Sequence, residues 1–180
     1  NAIVTTGNTV IDALFFGLEK VANGYSGKDI DYVKSIADPT KKIILITGHR
    51  RENFGGGFEQ LCEAIKEIAA DKSLQIIYPV HLNPNVQEPV NRILTGIENV
   101  KLIHPVDYPA FIYLMKMSHI IITDSGGVQE EAPSLGKPVL LMRETTERPE
   151  AIEAGTVILV GTDQEKIVSN CKRLLEDETL

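Results

Sequence analysis

The sequence lacks the features that mark nucleic-acid-binding and membrane-spanning proteins. It has no block of Lys and Arg, and its 18 basic against 25 acidic residues leave a formal net charge of −7, which argues against nucleic acid as a partner. Its apolar runs are far shorter than the roughly 20 residues that cross a membrane, and no signal-peptide pattern is present. Any bound anion must be held by a few local donors, because the overall charge repels it.

Cysteine and metal-ligand patterns are also scarce. The only two cysteines, Cys62 and Cys171, each lie within an amphipathic helical pattern. Because there is no CxxC motif and no Cys/His cluster, we expect both to be buried, reduced thiols in a cytoplasmic protein. We expect neither a metal nor a cofactor.

From residue 42 onward, short β-branched runs alternate with helical patterns. The runs are continuously apolar, which is typical of parallel strands covered on both faces. Helical stripes run from Phe58, Tyr108 and Ile167. This alternation predicts an α/β fold, a doubly wound, mostly parallel, Rossmann-like sheet. Its six predicted strands are Ile43–Thr47, Gln75–Val80, Val100–Ile103, His119–Thr123, Pro138–Met142 and Thr156–Val160.

The first forty residues differ from the rest. Residues 9–22 have a helical pattern with an apolar side that needs a packing partner, and residues 23–42 form a polar stretch with no assigned structure. We therefore predict a linker and packing helix from an interdomain region in residues 1–40, and a Rossmann-like domain in residues 41–180. Since no strand opens the chain, we expect it to be a piece of a longer protein.

A ligand site is expected where two polar strand exits meet. In open parallel sheets, ligands bind beyond the carboxyl ends of the strands, where the winding reverses. With the common strand order 3-2-1-4-5-6, that point lies between the first and fourth strands. These two strands run into "GHRREN" and "DSGG", the most polar, glycine-bearing exits in the chain.

The segment "DSGGVQEE" suits an anion and a diol together. Gly126 and Gly127 leave backbone N–H groups uncovered at a helix start, and Ser125 can add a hydroxyl donor. Glu131 lies one turn further on the same helix face, where a carboxylate can accept hydrogen bonds from a ribose. The alternative is ordinary helix capping, with acidic residues placed in a first turn.

The basic and histidine residues near the other strand exits have two interpretations. His49, Arg50 and Arg51 can neutralise a diphosphate or form a solvated basic turn with Glu52 as partner. His81 and His104 follow strands, yet each alone is more often structural, and His119 lies at the wrong edge. Arg143 and Arg148 can reach phosphates or pair with neighbouring glutamates. Phe111 is by its spacing a core residue rather than a platform for a base.

Long stretches of the sequence closely resemble one family. "TGHRRENFG", "YPVHLNPNV" and "TDSGGVQEEAPSLGKPVLLMRETTERPEA" are similar to the non-hydrolysing UDP-N-acetylglucosamine 2-epimerases. The resemblance covers nearly the whole chain and implies the C-terminal half of a glycosyltransferase-B architecture. It also implies interconversion of UDP-N-acetylglucosamine and UDP-N-acetylmannosamine by loss of the C2 proton with elimination of UDP, followed by re-addition.

The resemblance assigns roles to particular residues. Ser125, Gly126 and Gly127 would hold the diphosphate, with Arg148 near the phosphates and Glu131 on the ribose hydroxyls. The catalytic residue of this half would be His49, acting on the diphosphate as the C–O bond breaks. Phe111 and the backbone at Val106 would border the uracil, although many family members have glutamine at that second position. Arg50 and His81 match an allosteric site for a second UDP-N-acetylglucosamine.

The family's proton-transfer carboxylates belong to the other half, so we expect the chain alone to be inactive and the complete protein to be a homodimer. Two alternatives remain open. One is the donor-nucleotide domain of a UDP-sugar glycosyltransferase, and the other is a UDP-sugar sensor without chemistry.

Overall fold

A six-stranded parallel sheet forms the centre of the computed structural model, which describes residues 3, 4 and 7–176. Across the sheet the strand order is β3-β2-β1-β4-β5-β6. This order and the parallel pairing of every neighbouring pair confirm the predicted doubly wound fold. In chain order, β1 to β6 span Lys42–Thr47, Leu74–Pro79, Val100–Ile103, Ile120–Thr123, Val139–Leu141 and Val157–Leu159.

Helices cover both faces of the sheet. The described residues contain eight α-helices and one short 3-10 helix at Arg51–Asn53. In chain order, α1 to α8 span Thr9–Ala22, Lys28–Ile36, Gly56–Ile68, Pro84–Leu94, Tyr108–Met117, Val128–Ser134, Pro149–Glu153 and Gln164–Glu176.

Two hydrophobic cores lie on opposite sides of the sheet. Ile44 and Ile46 of β1 face the core formed with α3, α4 and α8, whereas Ile43 and Leu45 face the core formed with α1, α2, α5 and α6. All four of these side chains are buried. Because each strand contributes side chains to both cores, its sequence is continuously apolar rather than alternating.

Strands β4, β5 and β6 are shorter than the sequence predicts, whereas β1 begins one residue earlier, β2 lies one residue earlier and β3 matches the prediction. His119, Pro138 and Thr156 each precede an observed strand rather than belonging to it. Their backbone groups still join the ladder: the N–H of His119 donates to Ile43, and the carbonyl groups of Pro138 and Thr156 accept from Ile121 and Val139. The prediction therefore located each strand correctly and differed only at the frayed ends.

Helices α1 and α2 pack onto the same core as one face of the sheet. A β-carbon added to Gly17 of α1 would lie 2.5 Å from Cδ1 of Ile112, so α1 approaches α5 closely. The polar stretch contains α2, for which the sequence predicted no structure, and its Ile30 and Val33 are fully buried. The Gln75 side chain joins the end of α2 to β2 by accepting from the Asp38 N–H and donating to the Ile36 carbonyl, both at 2.8 Å. The boundary at residue 40 stays a prediction.

The two cysteines are buried free thiols, as predicted. Burial raises the pKa of each thiol to about 12. In residues 3, 4 and 7–176, no helix is both long and apolar enough to cross a membrane. No group of three or more metal-ligating His, Cys, Asp or Glu side chains occurs in that part of the chain either.

Candidate functional site

The first and fourth strands, between which the ligand site was predicted, are neighbours in the sheet, and we call the space between the loops that follow them the crevice. β1 pairs in parallel with β4, with Thr47 opposite Thr123 at the last step of the ladder. The N–H of Asp124 donates to the Thr47 carbonyl at 3.3 Å, immediately beyond the paired strands. The loops after β1 and β4 therefore leave the sheet side by side, at the point where the winding reverses.

Asp124 organises the loop that follows β1. Its carboxylate is fully buried, and Oδ2 accepts from the backbone N–H groups of His49 at 2.9 Å and Arg50 at 2.8 Å. The Asn53 amide lies 3.4 Å from the same oxygen and also donates to the Met142 carbonyl at 3.1 Å. Asp124 was not among the predicted site residues, although an acidic residue directly after a wholly apolar strand of a parallel sheet is a usable signal.

Gly48 allows this loop to lie directly over the carboxylate. A β-carbon at Gly48 would come within 3.0 Å of the Met142 methyl carbon and 3.5 Å of Asp124 Oδ2. Any larger residue would therefore have to displace either the loop or its buried partners. The backbone position of His49 and Arg50 is thus set by one glycine and one carboxylate.

Two guanidinium groups converge on Gly126. A β-carbon built on Gly126 would lie 3.4 Å from Arg148 Nη1 and 3.8 Å from Arg50 Nη2. The Arg50 side chain is held by its Nε, which donates to the Asp124 carbonyl at 2.8 Å. The absence of a side chain at Gly126 therefore leaves space directly beneath two cationic groups, which can bind an anion that the net charge of the chain would otherwise repel.

Arg148 is held in the crevice by acidic partners. Its Nε forms an ion pair with Glu130, and its Nη1 lies 3.6 Å from Glu147 Oε2. Hydrogen bonds from Arg148 and then from Asn8 lower the pKa of the Glu130 carboxyl, so it is ionised near neutral pH. The crevice thus carries a preformed counter-ion for Arg148 that a bound anion can replace.

A chain of hydrogen bonds joins α6 to the backbone of Arg148. Gln129 is buried and donates to the Ser125 carbonyl at 3.2 Å, and its oxygen accepts from the Thr146 hydroxyl at 2.5 Å. The Thr146 hydroxyl in turn accepts from the Arg148 N–H at 3.1 Å. Gln129 and Thr146 therefore connect the glycine segment to the arginine segment through hydrogen bonds.

Glu131 is a buried carboxylate one turn beyond the glycines. Its Oε1 accepts from the Tyr108 hydroxyl at 2.6 Å, and its Oε2 lies 3.7 Å from the position of a β-carbon on Gly127. Burial, followed by this hydrogen bond, raises the pKa of the Tyr108 phenol, which stays a donor. Oε1 of Glu131 is thus occupied by Tyr108, and Oε2 lies beneath Gly127. No pattern in the sequence singled out Tyr108 as a site residue.

Gly127 does not serve an unusual backbone conformation. Its φ of −66° and ψ of −42° are those of a regular helix, and the 3.7 Å distance to Glu131 is an ordinary contact. A residue with a side chain would fit here without strain. The backbone conformation at this position therefore does not require glycine.

His49 lies between Asp124 and His81. Its Nδ1 is 3.7 Å from Asp124 Oδ1, and its ring stacks on the His81 ring with centroids 5.3 Å apart and planes at 19°. His81 is itself oriented by the Asn83 N–H, which donates to its Nδ1 at 3.1 Å. The site residues predicted from the loops after β1, β2 and β4 are therefore neighbours in space.

The remaining predicted residues lie toward α2 and α5. Val106 is partly buried and lines a cavity of about 420 Å³ together with Lys28, Asp29, Tyr32, His104 and Pro105. Phe111 is partly buried on α5 and packs against the neighbouring core. The N–H of Asp107 donates to the Asp29 carboxylate at 2.9 Å, so α2 forms one wall beside Val106.

Two residues with open interpretations have structural partners. Arg143 is nearly buried and pairs with Glu52 and Glu147, each at 3.2 Å. His119 lies at the opposite edge of the sheet, where its Nδ1 accepts from the Ile43 N–H at 3.1 Å. The structural interpretation of His119 is confirmed, and Arg143 supports the rim of the crevice through its acidic partners.

Comparison with known proteins shows the family to which the chain is similar. The model of the family described as UDP-N-acetylglucosamine 2-epimerase matches residues 1–180. A UDP-N-acetylglucosamine 2-epimerase of Yersinia pestis is 60% identical over 99% of this chain and 48% of its own length. The chain thus spans about half the length of the curated relatives it matches.

Solved structures agree with the sequence comparison. The crystal structure of the Neisseria meningitidis UDP-GlcNAc 2-epimerase bound to UDP-GlcNAc superposes with a TM-score of 0.90 at 49% identity, covering 96% of this chain and 47% of that one. The Methanocaldococcus jannaschii UDP-GlcNAc 2-epimerase in complex with UDP-GlcNAc and UDP gives 0.81 at 33% identity, covering 99% and 49%.

Proposed function

This chain belongs to the UDP-N-acetylglucosamine 2-epimerase family, and from that membership we propose that it supplies the UDP-binding half of an enzyme that interconverts UDP-N-acetylglucosamine and UDP-N-acetylmannosamine. It would form the C-terminal half of a glycosyltransferase-B architecture, facing a second Rossmann-like half across the crevice. We infer a cytoplasmic homodimer for the complete protein.

The observation that carries the proposal is the convergence of Arg50 and Arg148 on Gly126. A diphosphate carries negative charge on several oxygens, and two guanidinium groups can donate to more than one of them at once. Ser125, Gly126 and Gly127 leave room for the phosphates to approach the backbone. On binding, the diphosphate would take over from Glu130 as the partner of Arg148.

The nucleoside would extend from the diphosphate toward α5. Glu131 would accept from the ribose hydroxyls through Oε2, the oxygen that Tyr108 leaves free. Phe111 and the backbone at Val106 would border the uracil, beside the cavity walled by α2. A main-chain contact to the base suits Val106, since its side chain has no polar atom.

His49 would act at the departing diphosphate. In the proposed reaction a base removes the C2 proton of the sugar and the C1–O bond breaks, leaving UDP and a 2-acetamidoglucal. Return of UDP to C1 and of a proton to the other face of C2 completes the epimerisation. Hydrogen bonding from the imidazole to the diphosphate would stabilise the leaving group, while the carboxylates for C2 would come from the other half.

Arg50 and His81 would also contact a second UDP-N-acetylglucosamine that activates the enzyme. The distances support a site directly beside the substrate, since Arg50 reaches Gly126 and His81 stacks on His49. Arg50 would then serve both ligands, which links occupancy of the second site to the diphosphate.

The proposal is tested by following the C2 proton in heavy water. The complete protein incubated with UDP-N-acetylglucosamine should incorporate deuterium at C2 and form the manno epimer, as seen by NMR. The 180-residue chain alone should bind UDP in calorimetry and show no exchange, because Glu130 and Glu131 are adjacent on one helix and cannot bracket a sugar ring. Exchange at an enzymic rate in this chain would place the base within it.

The same experiment separates the epimerase from a glycosyltransferase. A transferase would release UDP only when an acceptor is added and would leave the C2 proton in place. A complete protein that behaves in this way would overturn the epimerase assignment.

A further inference from the structure

Asp124 has one carboxylate oxygen that the loop uses and one that it does not. Oδ2 is approached by three N–H donors, from His49, Arg50 and Asn53. Oδ1 is fully buried and has no hydrogen-bond partner; among the described residues the only other side-chain polar atom in that state is the hydroxyl of Tyr78. Buried charged oxygens are normally satisfied, so the unpartnered one calls for a function.

A candidate partner of Oδ1 is the imidazole of His49. The distance from Oδ1 to Nδ1 is 3.7 Å, just beyond a hydrogen bond, and the His49 side chain is half exposed. A small rotation of the ring closes this gap without moving the backbone, which Oδ2 and Gly48 hold in place. The stacked His81 ring limits the other directions in which the imidazole can turn.

The loop alone does not require a carboxylate. The amide oxygen of an asparagine would accept from the same three N–H groups, and burying a neutral amide is far less costly than burying a charge. The second oxygen distinguishes aspartate from asparagine at this position, and it is the oxygen that lies next to His49.

We propose that Asp124 is a positioning residue for His49, which holds the imidazole with its Nδ1–H directed at the buried carboxylate. This inference rests on the proposed function, in which His49 acts at the departing diphosphate. A carboxylate beside Nδ1 selects one tautomer of the neutral ring and stabilises the imidazolium. Nε2, on the far side of the ring from Asp124, takes its proton from solvent, and the imidazolium that the carboxylate stabilises then donates from Nε2 to the diphosphate oxygen as the C1–O bond breaks.

The Asp124→Asn substitution isolates this role. Its amide oxygen would replace Oδ2 toward the three loop donors, and its NH₂ group would face Nδ1 of His49. A donor in that position requires Nδ1 to accept, so the neutral ring should switch to the tautomer with the proton on Nε2. The loop and the anion site are retained while the tautomer is inverted.

The tautomer is read from long-range ¹H–¹⁵N spectra of the complete protein labelled with [¹⁵N]histidine, at a pH where the rings are neutral. A His49→Asn variant identifies the signal. We expect the proton on Nδ1 in the wild-type protein and on Nε2 after Asp124→Asn. The kcat for epimerisation should fall about a hundredfold, within the range of lost acid–base catalysis, with KM and the Kd for UDP within about threefold.

Asp71→Asn is the matched control. Asp71 also accepts from a backbone N–H, that of Ser73, in a turn before β2 at the opposite edge of the sheet, so the tautomer and kcat should not change. A wild-type His49 protonated on Nε2, or a tautomer that Asp124→Asn leaves unchanged, would overturn the proposal. If the variant does not fold, the wild-type spectrum alone still shows whether Nδ1 or Nε2 of His49 carries the proton.

Failure of the proposed function has a different signature. If the wild-type protein does not epimerise UDP-N-acetylglucosamine, the kinetic comparison is lost for every variant. The tautomer switch would still be observed, because it depends only on Asp124 and His49. A protein that epimerises while Asp124→Asn retains the wild-type kcat would instead refute the positioning role alone.

Discussion

Replacing Glu131 with glutamine tests whether its buried carboxylate binds the ribose. The substitution preserves the size and shape of the side chain and removes its charge. Tyr108 can still donate to an amide oxygen in place of Oε1, so packing at the start of α6 should be retained. What changes is the atom below Gly127, where an NH₂ group would replace the acceptor Oε2.

The expected loss follows from the kind of hydrogen bond that is removed. A bond to a charged group contributes about 1.5–3 kcal/mol, against about 0.5–1.5 kcal/mol for a neutral pair. A ribose hydroxyl can rotate to accept from the new amide, which recovers part of the loss. We therefore expect UDP binding to weaken by about 1–3 kcal/mol, which corresponds to roughly a 5- to 150-fold increase in Kd.

Calorimetry with UDP and with 2′-deoxy-UDP distinguishes a ribose contact from a general effect. The wild-type chain should bind the deoxy nucleotide more weakly than UDP, and Glu131→Gln should reduce or abolish that difference. Glu130→Gln is the matched control, since Glu130 pairs with Arg148 and should alter the binding of both nucleotides equally. If Glu131→Gln also affected both nucleotides equally, the carboxylate would complement the helix end and not the ribose.

The anion site and the far edge of the sheet allow three further tests. Gly127→Val should abolish UDP binding and leave the thermal transition nearly unchanged. Gly127 has helical backbone angles, and an added β-carbon meets only Glu131 Oε2, at 3.7 Å. If the variant kept both its affinity for UDP and its stability, the diphosphate would not bind against the Gly127 backbone. Arg148→Met should weaken UDP binding by about 1.5–3 kcal/mol, the contribution of one charge-assisted hydrogen bond, and leave uridine binding unchanged. If calorimetry showed that UDP and uridine lose the same binding free energy, the substitution would have disrupted the loop itself. Burial, then two neighbouring lysines, lower the pKa of His119, so the unfolded chain binds the proton first and the free energy of unfolding should fall as pH drops below about 6.5. His119→Gln should flatten that decline in urea titrations, and an unchanged slope would show that His119 is not its source.

The sequence by itself determined the sheet and the position of the crevice. Runs such as Ile43–Thr47 are too short and too uniformly apolar for surface elements, and their spacing leaves room for one crossover between each pair. Right-handed crossovers restrict the possible topologies, and the common order 3-2-1-4-5-6 that was expected among them is the order observed. The loops that follow parallel strands lie at the same edge of the sheet. Glycines and charged residues in two of these loops therefore predicted the position of the crevice.

Only the tertiary structure decided which side chains meet there. Asp124 accepts from His49 across 75 residues of chain, and Tyr108 reaches Glu131 across 23. Such pairs leave no periodic signal, because each consists of one polar residue on one element and one on another. For the same reason the sequence left open whether Arg50 neutralises a diphosphate or lies in a solvated turn, whereas the fold brings it beside Gly126 together with Arg148.

The difference between local sequence signals and tertiary contacts also explains why α2 was not predicted. With only Ile30 and Val33 fully buried on a nine-residue helix, its apolar pattern is too brief to separate it from a polar linker. The helix is stabilised by the core it covers and by Gln75 on β2, neither of which is visible within its own sequence. Local sequence therefore determined the elements with a long apolar signature, and packing between distant segments determined the short helix and the partners in the crevice.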